Sequence, residues 1–255
     1  MSDRRLEGRI SVVTGATSGL GRRFAGLLAD QGSAVALMGR RADRLEEGVA
    51  AIQAKGGRAV AIALDVADAA AIGPALDRAQ NELGALDILI NNAGVGGEGA
   101  ALDISIDSFD QTFDVNVRGV YFAAREATRR MIENGSAERG HARIVNLASI
   151  AASTVLPGLS AYCASKAAVV AMTKVMAREW ARKGVAVNAI APGYIETEIN
   201  AHWFVTEGGE RQIKGFPRRR LMDEDALDDA LLMLCGASAR FITGSIITVD
   251  DGQTL

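Results

Sequence analysis

Three glycines within Thr14-Gly15-Ala16-Thr17-Ser18-Gly19-Leu20-Gly21 restrict the fold of this chain more than any other stretch. The run Ile10-Ser11-Val12-Val13-Thr14 before them has the length and composition of a buried strand. After them, Phe24, Leu27 and Leu28 recur at helical spacing through residues 22–31. A strand that passes through a glycine turn straight into a helix is the first unit of a parallel α/β sheet. Each glycine has its own reason to be there. Gly15 lets the chain turn sharply, Gly19 lets the backbone approach a pyrophosphate, and Gly21 lets the helix pack closely. The helix start offers unpaired N–H groups to the anion.

The alternation continues to the end of the chain. Apolar runs at 34–38, 59–64, 87–91, 144–147, 185–191 and 246–249 read as further strands. Between them, 42–55 is an amphipathic helix closed by Gly56-Gly57, Asp68 caps a helix that runs to Leu83, 106–134 reads as one long helix, and 223–234 is another. With nearly half of its 255 residues apolar, the chain can bury one large core. The expectation is an α/β fold, a single domain over residues 1–255 with a doubly wound parallel sheet and helices on both faces. From 196 to about 222 the periodicity breaks down, and a segment of this kind in a compact domain reads as a lid. Its His202-Trp203-Phe204 can wall a pocket or anchor the lid to the body.

Two positions carry chemistry. If Tyr162-Cys163-Ala164-Ser165-Lys166 opens a helix, Tyr162 and Lys166 stand at i and i+4 on one face, and an ammonium beside a phenol favours phenolate. Ile144-Val145-Asn146-Leu147 delivers Ser149 at the C-terminal end of a strand, the edge where open α/β sheets bind ligands. About twenty residues past the glycine turn, a NAD site places an acid that accepts from the ribose 2′-OH. This chain has Gly39, Arg40 and Arg41 there. No carboxylate repels a 2′-phosphate, and a guanidinium can pair with it and stack on adenine. The alternative is that Arg40, Arg41 and Arg44 solvate a helix start.

With Asn91-Asn92-Ala93-Gly94, Asn116 in Val115-Asn116-Val117, and Pro192-Gly193, these motifs resemble the short-chain dehydrogenase/reductase family over essentially the whole chain. The Gly-x-x-x-Gly-x-Gly spacing is the form that family uses. The resemblance implies a Rossmann-type sheet and hydride transfer between NADP(H), preferred, and a small carbonyl or secondary alcohol substrate, with NAD(H) possible. Tyr162 would be the general acid/base, Ser149 would hydrogen-bond the substrate oxygen, and Lys166 would tune Tyr162 and bind the nicotinamide ribose. Asn116 would distort its helix so that a main-chain carbonyl holds a water of the proton relay. Cofactor contacts would come from Gly15, Thr17, Ser18, Gly19, Leu20, Gly21, Arg40, Arg41, Asp65, Val66, Asn92, Ala93, Gly94, Pro192, Gly193, Ile195 and Thr197. Within that set, Asp65 either accepts from the adenine amino group or caps a loop, and Thr197 reaches the carboxamide or the phosphates. Ser18 stands where many NADP-dependent relatives carry a second basic residue. Asn91 reads as a sheet residue, and Asp251 departs from the family's usual Asp-Gly-Gly.

Two other functions fit less well. A 3-oxoacyl thioester reductase would use Arg218 to Arg220, or Arg129 and Arg130, on a carrier's phosphates. A nucleotide sensor without turnover would have no need of Ser149, Tyr162, Lys166 and Asn116 together. A formal charge of -3 and a pI near 5.5 give no overall attraction to nucleic acid or anionic membrane. No apolar stretch follows the opening charges or is long enough to span a bilayer, so a cytoplasmic protein is expected. Cys163, Cys235, His141 and His202 do not make a metal-binding pattern, and Cys163 reads as a small residue packed inward. The resemblance also implies a homodimer or homotetramer through the long helices.

Overall fold

Strands β1 (Ile10–Thr14), β2 (Ala34–Gly39), β3 (Ala59–Ala63), β4 (Ile88–Asn91), β5 (Arg143–Leu147), β6 (Ala186–Pro192) and β7 (Ile246–Val249) pair in parallel. Their order across the sheet is β3-β2-β1-β4-β5-β6-β7. The computed structural model describes residues 4–97, 99–197 and 200–255. Every residue of β1, β2, β4, β5 and β6 is buried, the pattern of strands covered by helices on both faces.

Helices α1 (Gly19–Asp30) and α2 (Ala42–Ala54) cover one face together with α9 (Asp228–Cys235), through Phe24, Leu28, Leu45, Val49 and Leu231. The other face packs against α3 (Ala69–Leu83), α5 (Val120–Glu133) and α6 (Ser160–Trp180), through Leu76, Ala124, Met131 and Met176. Side chains alternate across the strand, so Val12 joins the second layer and Val13 the first. From β1 the chain moves outward to β2 and β3 and then returns to β4 on the other side of β1. That reversal opens a crevice at the C-terminal ends of β1 and β4, where a ligand can reach the sheet edge.

Three elements differ from the sequence reading. The helix expected over 106–134 is α4 (Ile106–Phe113), a π-helical stretch Asp114–Gly119, and then α5. The wider turn surrounds Asn116, and Gly119 packs so closely that an added Cβ would lie 2.9 Å from the Val66 carbonyl oxygen. Helix α9 starts at Asp228, not 223, because residues 224–227 form turns. The connection before β5, expected at the surface, buries Ser136 and Ala137. Its inward pull is the Asp87 carboxylate, which accepts from Ser136 Oγ (2.6 Å) and from Ile10 N (3.1 Å).

The segment after β6 holds the short helices α7 (Ala201–Phe204) and α8 (Glu207–Gly215), and it returns to the body where Ile195 bridges to Met222. Residues 198 and 199 of this expected lid lie outside the described residues. Among the described residues no helix is long and apolar enough to cross a membrane.

Candidate active site

A cavity of about 700 Å³ runs along the crevice, from Arg40, Arg41 and Asp65 at one end to Ser149, Tyr162 and Tyr194 at the other. At the first end, backbone packing explains two of the three glycines. Gly15 has φ +68°, and an added Cβ would lie 2.7 Å from Ala93 Cα. At Gly21 a Cβ would collide with the Gly15 carbonyl oxygen and the Asn92 amide. Gly19 (φ +49°) meets nothing nearer than the Thr197 methyl group at 3.8 Å. Asn92 holds this turn in place, with Nδ2 donating to Thr14 O (3.1 Å) and Gly15 O (3.2 Å). Thr14 Oγ1 accepts from the backbone N–H of Asn92 and Ala93. The expected cofactor residue Asn92 therefore acts through the shape of the turn.

Ser18 precedes α1 without capping it. Its Oγ accepts instead from Arg41 Nη2 (2.8 Å), which also donates to Thr17 Oγ1 (2.8 Å). The arrangement leaves the N–H groups of the first turn of α1 to an anion. It also puts a guanidinium beside the residue that lacked a basic side chain of its own. Arg40 is exposed along the same end of the cavity. Asp65 Oδ1 accepts from Ala67 N (3.0 Å), so the carboxylate turns the loop after β3 while lining the cavity beside Val66. A phosphate-bearing dinucleotide fits this donor set, with its anions toward α1 and the two arginines.

At the other end, Ser149 follows β5 and accepts from Ala151 N (3.1 Å). It lines the cavity together with Tyr162. Tyr162 lies in the first turn of α6 and Lys166 one turn further, its Nζ donating to Leu147 O (2.8 Å) and lying 5.6 Å from the centre of the Tyr162 ring. Helix α6 is fixed to the sheet by a buried chain in which Asn91 donates to Asn146 (2.9 Å) and Asn146 to Thr173 (2.9 Å). That is the sheet role expected of Asn91. Asn116 is fully buried, accepts from Val95 N (2.8 Å), and donates to Val95 O (3.0 Å) and Ser165 Oγ (3.0 Å). Its side chain thus ties the loop after β4 to the helix that carries Tyr162. Gly94 separates Asn116 from Lys166, since an added Cβ would lie 3.4 Å from Asn116 Oδ1 and 3.6 Å from Lys166 Nζ.

The expected lowering of the Tyr162 pKa by Lys166 is not found in the free protein. Burial pushes the phenol up, opposed by its hydrogen bond to Ser149. Burial also pushes Lys166 down to about 8.

The loop after β6 completes the cavity. Gly193 N donates to Val249 O (2.9 Å), and an added Cβ would crowd Asp250 at 2.8 Å. Thr197 gives both N–H (2.7 Å) and Oγ1 (3.2 Å) to Asn200 Oδ1, with its methyl group over Gly19. That places it toward the phosphate end.

Sequence reasoning passed over Tyr194, although it stands between the named Gly193 and Ile195. Its N–H donates to Gln253 Oε1 (2.6 Å) and its carbonyl accepts from Met222 N (3.0 Å). The ring stacks on Phe216 and meets Phe204 edge-on, and nearby Gln212 Oε1 accepts from Trp203 Nε1 (2.6 Å). Trp203 and Phe204 do not line the cavity and pack within the segment after β6. Asp251, at φ +52°, pairs with Arg218 (3.1 Å) and Arg220 (2.9 Å), tying the end of that segment to the C-terminal turn. Gln253 and Asn200 had no local signal, because their partners are distant or follow no repeating spacing.

Comparisons with known proteins agree with this geometry. The family described as short chain dehydrogenase matches residues 9–208. D-threitol dehydrogenase of Mycolicibacterium smegmatis is 35% identical over 253 residues, 99% of this chain and 95% of that protein. Among solved structures, a short chain dehydrogenase from Burkholderia cenocepacia in complex with NADP superimposes with TM-score 0.91 and 35% identity, over 98% of this chain and 100% of the other. A gluconate 5-dehydrogenase from the same organism, in complex with NADP and tartrate, gives TM-score 0.92 and 32% identity over 99% and 97%.

Proposed function

The chain belongs to the short-chain dehydrogenase family and is an oxidoreductase that uses a nicotinamide cofactor, and from that premise we propose that it is an NADP-preferring carbonyl reductase or secondary-alcohol dehydrogenase with Tyr162 as its general acid/base. When bound, the nicotinamide supplies or accepts the hydride. The first turn of α1, Thr17, Leu20 and Ala93 hold the dinucleotide, while Arg40 and Arg41 hold its 2′-phosphate. Pro192, Gly193, Ile195 and Thr197 line the same cavity as Gly94.

In reduction, Tyr162 gives its proton to the carbonyl oxygen, and Ser149 donates a hydrogen bond to the same oxygen as charge develops there. A phenol whose pKa burial has raised keeps its proton until substrate is present. Lys166, titrating near 8, is placed to return the proton, and Asn116 holds the loop and helix on either side of that path. Oxidation runs through the same groups in reverse.

The observation that carries this reading is the meeting of Ser149, Tyr162 and, one helical turn below, Lys166 in the same cavity as the glycine turn. The alternative thioester reductase draws no support from the arginines that suggested it. Arg218 and Arg220 are paired to Asp251, Arg129 to Glu126, and Arg130 to both Asp77 and Glu126. The test is consumption of NADPH and NADH with a panel of free ketones and acetoacetyl-CoA. Faster use of NADPH with a free ketone is expected; no turnover with any carbonyl compound, or strict NADH use, would overturn the reading.

Residues 196–222 act as the substrate lid of a single domain. Ile106, Phe109 and Tyr121 expose an apolar face along α4 and α5, and we assign that face to a dimer or tetramer contact. A monomeric mass in light scattering at micromolar concentration would remove the assembly.

A further inference from the structure

The substrate end of the cavity differs from its nucleotide end in what remains unpaired. Beyond Ser149 and Tyr162, its walls are Gly96, Ile150, Leu156, Leu159, Tyr194 and Asn200. Asn200 accepts twice from Thr197 and donates one N–H to Ile195 O at 2.9 Å, leaving a single amide N–H to offer. The Tyr194 hydroxyl has one proton to offer. The cation near the catalytic pair is Lys166, 6% exposed and bonded to Leu147 O; Arg40 and Arg41 lie at the opposite end.

A polyol needs a partner for each hydroxyl that it buries, and each one left unpaired weakens binding by roughly ten- to a hundredfold. A carboxylate needs a cation or several N–H donors, and the cation at this end, Lys166, is nearly buried and already donates to Leu147 O. Leu156, Leu159 and Ile150 instead offer branched aliphatic surface, which favours an apolar substituent.

We propose that the substrate is an uncharged ketone or secondary alcohol whose larger substituent is apolar and packs against Ile150, Leu156 and Leu159, and that polyols and aldonates are rejected. The proposal rests on the hydride-transfer reading for its chemistry. It departs from what the names of the threitol and gluconate relatives would suggest for this chain.

The test compares initial rates with NADPH on 2-octanone and 4-phenyl-2-butanone against L-erythrulose and 5-keto-D-gluconate. A kcat/KM advantage of at least about a hundredfold for the apolar pair is expected from two or more unpaired polar groups. A polar substrate within tenfold of the better apolar one overturns the proposal. Calorimetry of the NADP-loaded protein with 2-octanol, D-threitol and D-gluconate, at three temperatures, reads the pocket without turnover. Binding of 2-octanol alone, with a negative heat-capacity change, supports the apolar wall even if no ketone is reduced, an outcome that would sink only the hydride-transfer reading. Tighter binding of either polar ligand, or no binding of 2-octanol, overturns the wall. Leu159→Arg and, as an independent second variant, Leu156→Arg should each lower kcat/KM for 2-octanone at least about tenfold. Normal 2-octanone kinetics in both variants, with unchanged melting curves, would also overturn it.

Discussion

The two ends of the cavity are built by different means. At the nucleotide end the ligand surface is mainly backbone, and the glycines exist because no side chain fits, as at Gly15 against Ala93 and Gly21 against the Gly15 carbonyl. At the substrate end the surface is made of side chains on loops, and distant parts of the chain hold it closed. Tyr194 is gripped by Gln253 from the C-terminal turn and by Met222 from the chain returning after α8, and its ring packs on Phe204 and Phe216. Backbone geometry leaves its mark on local sequence, whereas closure by distant side chains leaves almost none. Specificity should therefore vary at the second end while the first tolerates little change.

The most direct way to separate chemistry from either end is Tyr162→Phe, which removes one hydroxyl. Turnover should fall by roughly 10²–10⁴, the usual worth of a positioned general acid, with unchanged cofactor affinity and melting temperature. Near-parent turnover would mean that the proton comes from elsewhere. Gly21→Ala tests the backbone end, with Gly26→Ala as its control because a Cβ at Gly26 meets nothing within 4 Å. NADPH affinity should weaken by roughly ten- to a hundredfold at Gly21, the size of an overpacking defect of about 1–3 kcal/mol, and stay unchanged at Gly26. Equal effects at the two sites would show that helix propensity, not the close approach to Gly15, decides. Arg41→Ala should weaken NADPH by roughly five- to fiftyfold and leave NADH nearly unaffected, since only the former carries the phosphate. Equal losses for both cofactors would mean that Arg41 merely props Thr17 and Ser18.

Those outcomes bear on how much could be read from residues alone. The strand-turn-helix unit, the parallel sheet and the Ser149, Tyr162 and Lys166 grouping were legible, because each rests on a short spacing or on apolar periodicity. A distorted helix at Asn116 was implied by the family resemblance, whereas the residues alone marked only a poor helix former, since its partners Val95 and Ser165 are distant in the chain. Arg41 rather than Arg40 reaching Ser18 depends on side-chain direction at the end of β2. The Tyr162 shift was misjudged in sign because proximity to an ammonium is visible in a spacing and depth of burial is not.

Burial makes Lys166 a test in its own right. Its folded pKa of about 8 lies below the usual 10.5, so the folded state bears the full cost of the buried charge below pH 8. That cost fades as pH rises from about 8 to 10.5, where the folded protein releases the proton before the unfolded chain does. Lys166→Met should therefore gain stability relative to the parent at pH 7, by roughly 1–3 kcal/mol, and lose that gain by pH 10.5. Urea midpoints measured across this range decide it, and a difference independent of pH would mean that the ammonium is not desolvated.

The smallest effect is expected at Asp251, where the comparison between the ends is sharpest. A non-glycine residue at φ +52° is strained, and Asp251 keeps that conformation while its carboxylate pairs with Arg218 and Arg220. Those pairs hold the strand of chain that brings Met222 to the Tyr194 carbonyl. Asp251→Gly relieves the backbone and releases both arginines, so the two consequences oppose each other in overall stability and the melting temperature should barely move. The substrate end should still loosen, raising KM for a ketone by roughly two- to fivefold while NADPH affinity stays at the parent value. Salt offers a second reading of the same latch. Exposed ion pairs weaken as ionic strength rises, so parent KM should climb with added salt toward that of the variant, whose own KM should stay flat. A variant that loses NADPH affinity and substrate affinity together would show that the C-terminal turn supports the whole cavity, and the division into a backbone end and a side-chain end would fail.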